Sequence, residues 1–139
     1  MSTMLEKARV YEKEKVAETD PGAKPLFHIS APTGWLNDPN GFSVYDGKVH
    51  LFYQYHPYTR EWGPMHWGHS VSTDMVHWEQ LPAALAPDED YDRIGCFSGS
   101  AIEAEEKHVL VYTGVTKVKL PDGTEQERQN QCIAFGDGR

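Results

Sequence analysis

Hydrophobic and polar residues alternate through the middle of the chain with the two-residue period of a β-strand. In residues 48–55, one face carries Val49, Leu51, Tyr53 and Tyr55. The opposite face carries His50, Phe52 and Gln54. A shorter alternation at residues 42–45 comes before Asp46-Gly47, a dipeptide that favours a two-residue hairpin turn. The pattern therefore predicts an antiparallel hairpin over residues 42–55.

Further short strands are predicted along the rest of the chain. They lie at residues 66–71, 76–79, 98–103, 108–113 and 131–135. Turn-forming residues separate them at 72–74, 104–107 and 136–138. Three landmarks of the first half, Gly41, Tyr53 and Asp74, recur in order as Gly99, Tyr112 and Asp137, a loose repeat of about 60 residues. Repeats of four strands are typical of β-propellers, so we predict an all-β chain of that type.

The second repeat contains only three predicted strands. Two units do not close a propeller, which takes about 4–8 blades, and open sheets expose apolar faces and unpaired edges. We therefore expect a fragment of a longer protein, in which residues 26–139 form the first one to two blades of an incomplete propeller domain. Residues 1–25 are a Lys- and Glu-rich lead, predicted to form a short surface helix that Pro21-Gly22 and Pro25 end.

Composition narrows the classes of function. Acidic residues number 21 against 13 basic ones, for a net charge of −8, which argues against nucleic-acid binding and against a polybasic membrane anchor. No apolar run approaches the roughly 20 residues of a membrane helix. Residues 1–20 lack the apolar segment of an export signal, and two cysteines are too few for a disulfide scaffold. We therefore predict reduced thiols at Cys96 and Cys132 and a cytoplasmic location.

The segment at residues 34–41, GWLNDPNG, contains the first candidate for chemistry. Its residues are turn formers, and a turn alone is one interpretation. The other interpretation depends on Pro39, which restricts Asp38 to an extended backbone and so holds a carboxylate on a stiff segment. Such placement suits a nucleophile. Residue types alone leave both interpretations open.

Aromatic residues gather in the same region. Trp62, Trp67 and Trp78 accompany Gln54 and several histidines, and most propeller aromatics are packing residues. Flat apolar surfaces beside hydrogen-bonding side chains also suit sugars, which have C–H faces and hydroxyl rims. A metal held jointly by His66 and His69 is disfavoured, because positions three apart on a strand point to opposite faces.

Two polar clusters are interpreted as structural. Asp88, Glu89, Asp90 and Asp92 are predicted to form a solvated loop. Ser72 and Asp74 are predicted to cap a turn with their own side chains rather than to form part of a catalytic set.

Residues 28–41, HISAPTGWLNDPNG, resemble the signature of the β-fructofuranosidases of glycoside hydrolase family 32, which include invertases, sucrose-6-phosphate hydrolases, inulinases and levanases. Further matches follow in the family's order. They are FYQYHP at residues 52–57, WGHS at 67–70 followed by Ser72 and Asp74, His77-Trp78, and FSGS at 97–100. The resemblance covers residues 26–135 and implies a five-bladed propeller followed by a β-sandwich. Without an export signal, the chain looks more like the bacterial intracellular hydrolases of sucrose or sucrose 6-phosphate than like secreted forms.

The resemblance also implies roles for particular residues. Asp38 matches the nucleophile of a retaining mechanism at a β-linked fructosyl unit. The matches to substrate-binding positions are Trp35, Leu36, Asn37, Gln54, Trp62, Phe97 and Ser98. The family's acid/base glutamate precedes a cysteine and its transition-state-stabilising aspartate lies in an Arg-Asp-Pro motif; neither motif occurs here. The implied partner is a small fructoside, with no metal and no organic cofactor.

Three functions are compatible with these residues. The first is a β-fructosidase acting on sucrose or its 6-phosphate, with this chain inactive by itself because the acid/base group is absent. The second is a non-catalytic fructoside-binding remnant in which Asp38 accepts hydrogen bonds. The third is a transfructosylase, in which a sugar replaces water as the acceptor. The sequence does not distinguish the phosphorylated substrate or the oligomeric state.

Overall fold

Two antiparallel sheets and one helix make up the part of the chain that the computed structural model describes, residues 3–138. Helix α1 spans Thr3–Ala17, and a short 3-10 turn follows at Pro21–Ala23. The strands are β1 Trp35–Tyr45, β2 Lys48–His56, β3 His66–Ser72, β4 Glu79–Leu85, β5 Gly95–Ala104, β6 Lys107–Lys119 and β7 Glu125–Gly136. The first sheet has the order β1-β2-β3-β4 and the second β5-β6-β7, so each strand pairs with its neighbour in sequence.

The predicted hairpin is confirmed. β1 and β2 pair from Tyr45 and Lys48 outward, and Asp46 and Gly47 both have positive φ, at 48° and 70°. This is the geometry of the two-residue turn that Asp-Gly favours. The repeat is confirmed as well, because Tyr53 and Tyr112 each stand sixth in the second strand of their sheet.

Strand positions differ from the prediction in several places. β1 begins at Trp35 rather than at residue 42, so residues 35–41 form a bulged strand and the interpretation of that segment as a turn alone is wrong. β5 begins at Gly95 rather than at residue 98, and β6 runs to Lys119 rather than to residue 113.

The fourth strand begins at Glu79 rather than at residue 76, because Asp74 Oδ1 accepts the backbone N–H groups of Val76 and His77 and holds that segment in a turn. This bond pattern, with Ser72 Oγ accepting from Met75 N, confirms the self-capped turn. β7 is longer than predicted and includes Gly136, because it pairs with β6 along its whole length.

The core lies between the two sheets. It consists of Phe52, Trp67, Cys96, Leu110, Tyr112 and Cys132. The other face of β2 carries Tyr53 and Tyr55, which pack with Ala83 against Ala8 of α1. The alternation along residues 48–55 therefore separates two cores, one on each face of β2.

Helix α1 is more than a surface helix. Ala8 and Glu12 are buried against β4, the last strand of its sheet. Arg9 Nε donates to the carbonyl oxygen of Ala83 at 2.9 Å, and the Ala83 N–H donates to Glu12 Oε2 at 3.1 Å. Burial raises the pKa of the Glu12 carboxyl. Two side chains thus occupy the backbone groups that an edge strand otherwise leaves unpaired. None of the helices in residues 3–138 is both long and apolar enough to cross a membrane.

The prediction of a solvated acidic loop is wrong for Asp92. This residue is only 1% exposed. Its Oδ2 accepts from the Tyr112 hydroxyl at 2.8 Å, and its Oδ1 accepts from the Glu89 N–H at 2.8 Å. Burial raises the pKa of the Asp92 carboxyl. Its burial follows from partners on β6 and within its own loop, which a run of acidic letters does not reveal.

Candidate active site

A β-bulge presents Asp38. Leu36 pairs with Tyr55 and Pro39 pairs with Tyr53, so two residues of β1, Asn37 and Asp38, stand opposite the single residue Gln54. Bulges of this kind redirect side chains and interrupt pairing next to functional sites. Asp38 is exposed, and its carboxylate has no hydrogen-bond or ion-pair partner within residues 3–138. The bulge therefore presents an exposed carboxylate on a backbone that Pro39 stiffens.

The residues before Asp38 are fixed by local contacts. Trp35 Nε1 donates to Asn37 Oδ1 at 2.7 Å, which orients the Asn37 amide and leaves its Nδ2 available to another acceptor. Gly34 has a φ of 60°, and a Cβ there would lie 2.1 Å from the carbonyl oxygen of His56. Only glycine allows this approach of β1 to the end of β2. Leu36 packs with the Tyr53 and Tyr55 cluster on the side of α1.

A second irregularity presents Ser98. Phe97 pairs with Thr113 and Gly99 pairs with Tyr112, so Ser98 has no pairing partner on β6. Its side chain is exposed, whereas Phe97 is half-buried. β5 therefore displays a hydroxyl at its start in the way that β1 displays a carboxylate.

Four hydrogen bonds join the start of β5 to the first sheet and to Met65, the residue before β3. Cys96 N donates to Met65 O at 2.8 Å, and Gln54 Nε2 donates to Cys96 O at 2.9 Å. Trp67 Nε1 donates to Phe97 O at 3.2 Å, and Gly99 N donates to Asn40 Oδ1 at 3.3 Å. These bonds flank Ser98 on both sides, so the backbone that carries Ser98 is tied to the strands that carry Asp38 and Gln54.

Gln54 has a more structural position than sequence suggested. It is 3% exposed, and its amide nitrogen is committed to the Cys96 carbonyl, an oxygen that only accepts. The amide oxygen Oε1 is then the polar atom of Gln54 available to a further donor.

Two predicted aromatic residues meet beside these strands. The Trp62 ring lies edge-to-face with the Phe97 ring at a centroid distance of 6.2 Å, and Trp62 is 55% exposed. An indole exposed to this extent, next to a half-buried phenyl ring, provides an apolar surface beside Ser98. The structure thus groups Trp62 with Phe97, and Asn37 and Asp38 with Gln54.

His66 and His69 have separate partners. His66 Nδ1 donates to Pro64 O at 2.9 Å, whereas His69 Nε2 contacts His50 Nδ1 at 2.9 Å. Within residues 3–138, no cluster of three or more histidine, cysteine or acidic side chains is arranged to hold a metal.

Sequence reasoning missed Asn40 and Trp67 as links between the sheets. Asn40 is 4% exposed and Trp67 is fully buried. The sequence shows Asn40 within GWLNDPNG and Trp67 within WGHS. It does not show their hydrogen-bond partners, which lie in β5 and depend on how the two sheets pack.

The arrangement agrees with a comparison against protein families. Residues 28–139 match the family described as "Glycosyl hydrolases family 32 N-terminal domain". The chain belongs to glycoside hydrolase family 32.

Relatives of this family 32 chain include a sucrose-6-phosphate hydrolase and a levanase. Sucrose-6-phosphate hydrolase from Zymomonas mobilis is 52% identical over 110 residues, which cover 79% of this chain and 21% of that protein. Levanase from Bacillus subtilis is 44% identical over 122 residues, which cover 86% of this chain and 18% of that protein. The chain therefore spans about a fifth of the length of these curated relatives.

Solved structures show the same fold. The family 32 β-fructofuranosidase of Bombyx mori is 44% identical, with a TM-score of 0.82 over 97% of this chain and 28% of that one. An aspartate-to-alanine variant of that silkworm enzyme was solved in complex with sucrose. The predicted fold is confirmed: the sheet β1–β4 is the first blade of the family's N-terminal β-propeller, and β5–β7 belong to the second.

Proposed function

We propose that this chain provides the nucleophile side of a retaining β-fructofuranosidase site that cleaves sucrose or sucrose 6-phosphate. The observation that carries the proposal is the bulge in β1, which leaves the Asp38 carboxylate exposed and unpartnered opposite Gln54. The names of relatives that act on sucrose 6-phosphate and the sucrose complex of the silkworm enzyme variant support the substrate class.

In the proposed reaction, an Asp38 oxygen attacks C2 of the fructosyl unit. The bond from C2 to the glycosidic oxygen breaks, and a fructosyl ester forms on Asp38. A second carboxyl group, about 5–5.5 Å from the first in retaining enzymes, protonates the leaving oxygen. The same group then takes a proton from water, which attacks C2 and releases Asp38.

The neighbouring side chains have matching roles. Asn37 Nδ2 donates to a sugar hydroxyl, since Trp35 occupies its Oδ1. Gln54 Oε1 accepts from a hydroxyl, and the Ser98 hydroxyl does either. Trp35 and Leu36 fix the backbone that leads into the bulge, and Trp62 and Phe97 form the apolar wall. This reaction uses two carboxyl groups and needs no metal or organic cofactor.

The second carboxyl group comes from outside this chain in our proposal. The family's glutamate-cysteine pair and Arg-Asp-Pro motif do not occur in the sequence. We accordingly propose that residues 26–139 act as part of a larger propeller domain, with residues 1–25 as its lead, and that the chain by itself is inactive. A cytoplasmic location is part of the proposal and is supported by Cys96 and Cys132, both buried free thiols.

A chimera tests the function. Residues 28–138 replace the matching segment of the Zymomonas mobilis sucrose-6-phosphate hydrolase, and glucose release is measured from sucrose alongside glucose 6-phosphate release from sucrose 6-phosphate. We expect turnover that Asp38→Asn lowers on the order of 10³-fold or more. Asp46→Asn is the matched control, because it makes the same change in an exposed turn where asparagine is equally suited.

Three outcomes would each contradict a part of the proposed function. An Asp38→Asn chimera within about tenfold of its parent would remove Asp38 from the nucleophile role. Turnover by the pure 139-residue chain, lost in Asp38→Asn, would overturn its proposed inactivity. Saturable fructoside binding by the folded chain, together with an inactive chimera, would favour the non-catalytic remnant instead.

A further inference from the structure

Helix α1 lies outside residues 28–139, the part of the chain that the family match covers. It is nonetheless fixed at several points to β4 and to the loop that follows β4. Asp88 accepts the backbone N–H groups of Met4 at 2.8 Å and Leu5 at 3.3 Å, and Arg9 and Glu12 hold Ala83 as described above. A carboxylate at the amino end of a helix stabilises it. The helix is therefore a rigid element with a defined position on β4.

The same helix contacts the segment between β2 and β3. The Tyr11 hydroxyl donates to the carbonyl oxygen of Tyr58 at 3.3 Å. The two rings meet edge-to-face, with centroids 5.1 Å apart at 64°. Residues 57–65 connect β2 to β3, and Tyr58 lies near the start of this connection. Tyr11 therefore holds the start of the connection by a hydrogen bond and by an aromatic contact.

The far end of that connection is anchored to His56. His56 Nδ1 donates to Pro64 O at 3.3 Å. Gly63 is buried beneath the imidazole, where a Cβ would lie 2.6 Å from His56 Cε1. The Tyr58 ring also packs edge-to-face on His56 at 5.6 Å. The anchors at Tyr58 and at residues 63–64 are thus coupled through one imidazole.

Trp62 lies between the two anchors. Residues 59–62 are exposed, and Trp62 itself is 55% exposed, with its ring against Phe97. An exposed indole on a short span takes its position from the ends of that span. Tyr11 holds the end at Tyr58, although it precedes Trp62 by about fifty residues in the sequence.

We propose that Tyr11 is a positioning residue, which holds residues 58–64 so that Trp62 stands against Phe97 at the sugar site. Through this contact, α1 becomes part of the site although it touches no reacting atom. The inference rests on the proposed function in one respect, namely that Trp62 and Phe97 form the wall for a fructosyl unit.

The test uses the 139-residue chain and nuclear magnetic resonance. The four tryptophans provide indole N–H signals, and Trp62→Phe assigns the one from Trp62. We expect Tyr11→Ala to shift the Trp62 signal and to weaken the cross-relaxation between the Trp62 and Phe97 rings, while the signals of Trp35 and Trp67 stay in place. Tyr11→Phe keeps the ring contact and should give a smaller shift of the Trp62 signal in the same direction. Glu14→Gln, an exposed change on the same helix, is the control and should alter none of them.

Two results would overturn the proposal. One is an unchanged Trp62 signal and ring contact in Tyr11→Ala. The other is a simultaneous shift of all four indole signals in both Tyr11 variants, which indicates a general loss of packing.

A second arm connects the positioning to the reaction. In a chimera that carries residues 3–138, we expect Tyr11→Ala to raise KM about three- to tenfold while kcat stays within about twofold. A fall in kcat with unchanged KM contradicts a role at the wall of the site. If the parent chimera is inactive but Tyr11→Ala still moves Trp62, the positioning holds and the proposed function fails, so the two are separable.

Discussion

Gln54 donates its amide hydrogen to the carbonyl oxygen of Cys96 across 2.9 Å, and this bond joins the two propeller blades next to the nucleophile candidate. The two residues are 42 positions apart in sequence. Gln54 stands opposite the bulge of β1, and Cys96 precedes Phe97 and Ser98. One buried amide therefore relates the backbone of Asp38 to that of Ser98.

The first prediction concerns this bond. Gln54→Glu keeps the side-chain length but replaces the donor with a carboxyl oxygen that, when ionised, repels the Cys96 carbonyl in a buried position. We expect the free energy of unfolding to fall by about 1–3 kcal/mol or more in urea titrations at pH 7. Gln126→Glu makes the same change at an exposed position of β7 and should stay within about 0.5 kcal/mol of the parent. Equal effects of the two substitutions would contradict the blade-joining role.

The second prediction concerns three buried histidines between the blades. His50 Nε2 donates to Tyr45 O at 3.2 Å, so in the neutral state His50 Nδ1 accepts from His69 Nε2 at 2.9 Å. His108 contacts Ser43 Oγ at 2.8 Å. Burial lowers the pKa of all three imidazoles. The pKa of His69 falls to about 3 and that of His108 to about 4, and the pKa of His50 is also lowered.

These shifts set a sign for the pH dependence of stability. The unfolded chain binds protons at these histidines near pH 6.5 whereas the folded chain does not, so the free energy of unfolding falls as pH falls from about 6.5 towards 4. Each histidine kept neutral contributes about 1.4 kcal/mol per pH unit within its window. In urea titrations from pH 7 to 4.5, His108→Gln should show a shallower decline. His28→Gln, at an exposed position, should follow the parent, and an unaltered slope in His108→Gln would contradict the assignment.

The third prediction concerns the buried carboxyl of Asp92. Tyr112→Phe removes the hydroxyl that donates to Asp92 Oδ2 and leaves only the Cys96 thiol at 3.8 Å on that oxygen. We expect a loss of about 1–3 kcal/mol in the free energy of unfolding, because a buried acceptor loses its main donor. Tyr45→Phe removes an exposed hydrogen bond to Glu106 O and should cost less. A cost for Tyr112→Phe no greater than that for Tyr45→Phe would show that Asp92 is satisfied in another way.

The fourth prediction concerns Gly99, next to Ser98. A Cβ at Gly99 would lie 2.0 Å from the carbonyl oxygen of Val111, which is backbone and has no room to move without separating β5 from β6. Gly99→Ala should therefore destabilise the chain by about 1–3 kcal/mol and abolish turnover in the chimera. Gly136→Ala is the control, since its nearest neighbour would be 3.8 Å away. The melting temperature and the rate of glucose release are measured for both variants. A fully active Gly99→Ala chimera would contradict the prediction that a Cβ at this position separates β5 from β6.

Much of the local structure was predictable from the sequence. Alternation in residues 48–55 and the Asp-Gly turn predicted the first hairpin, because a strand's side-chain period and a turn's φ requirements are local properties. The repeat predicted a second sheet of the same construction. Asp38 was predictable as a candidate because Pro39 constrains its backbone directly.

The tertiary structure decided the contacts on which the site depends. Which faces of the sheets are covered, and by what, follows from how distant segments stack, and no local pattern encodes it. The burial of Asp92 by Tyr112, the use of the Gln54 amide by Cys96, and the docking of α1 on Ala83 are all of this kind. By itself, the sequence determined the strands, their turns and the residue types available for chemistry. Only the packing of one blade on the other decided which polar atoms are already occupied and which remain available to a ligand, because a hydrogen bond between segments 30 to 59 residues apart exists only once both are held in place.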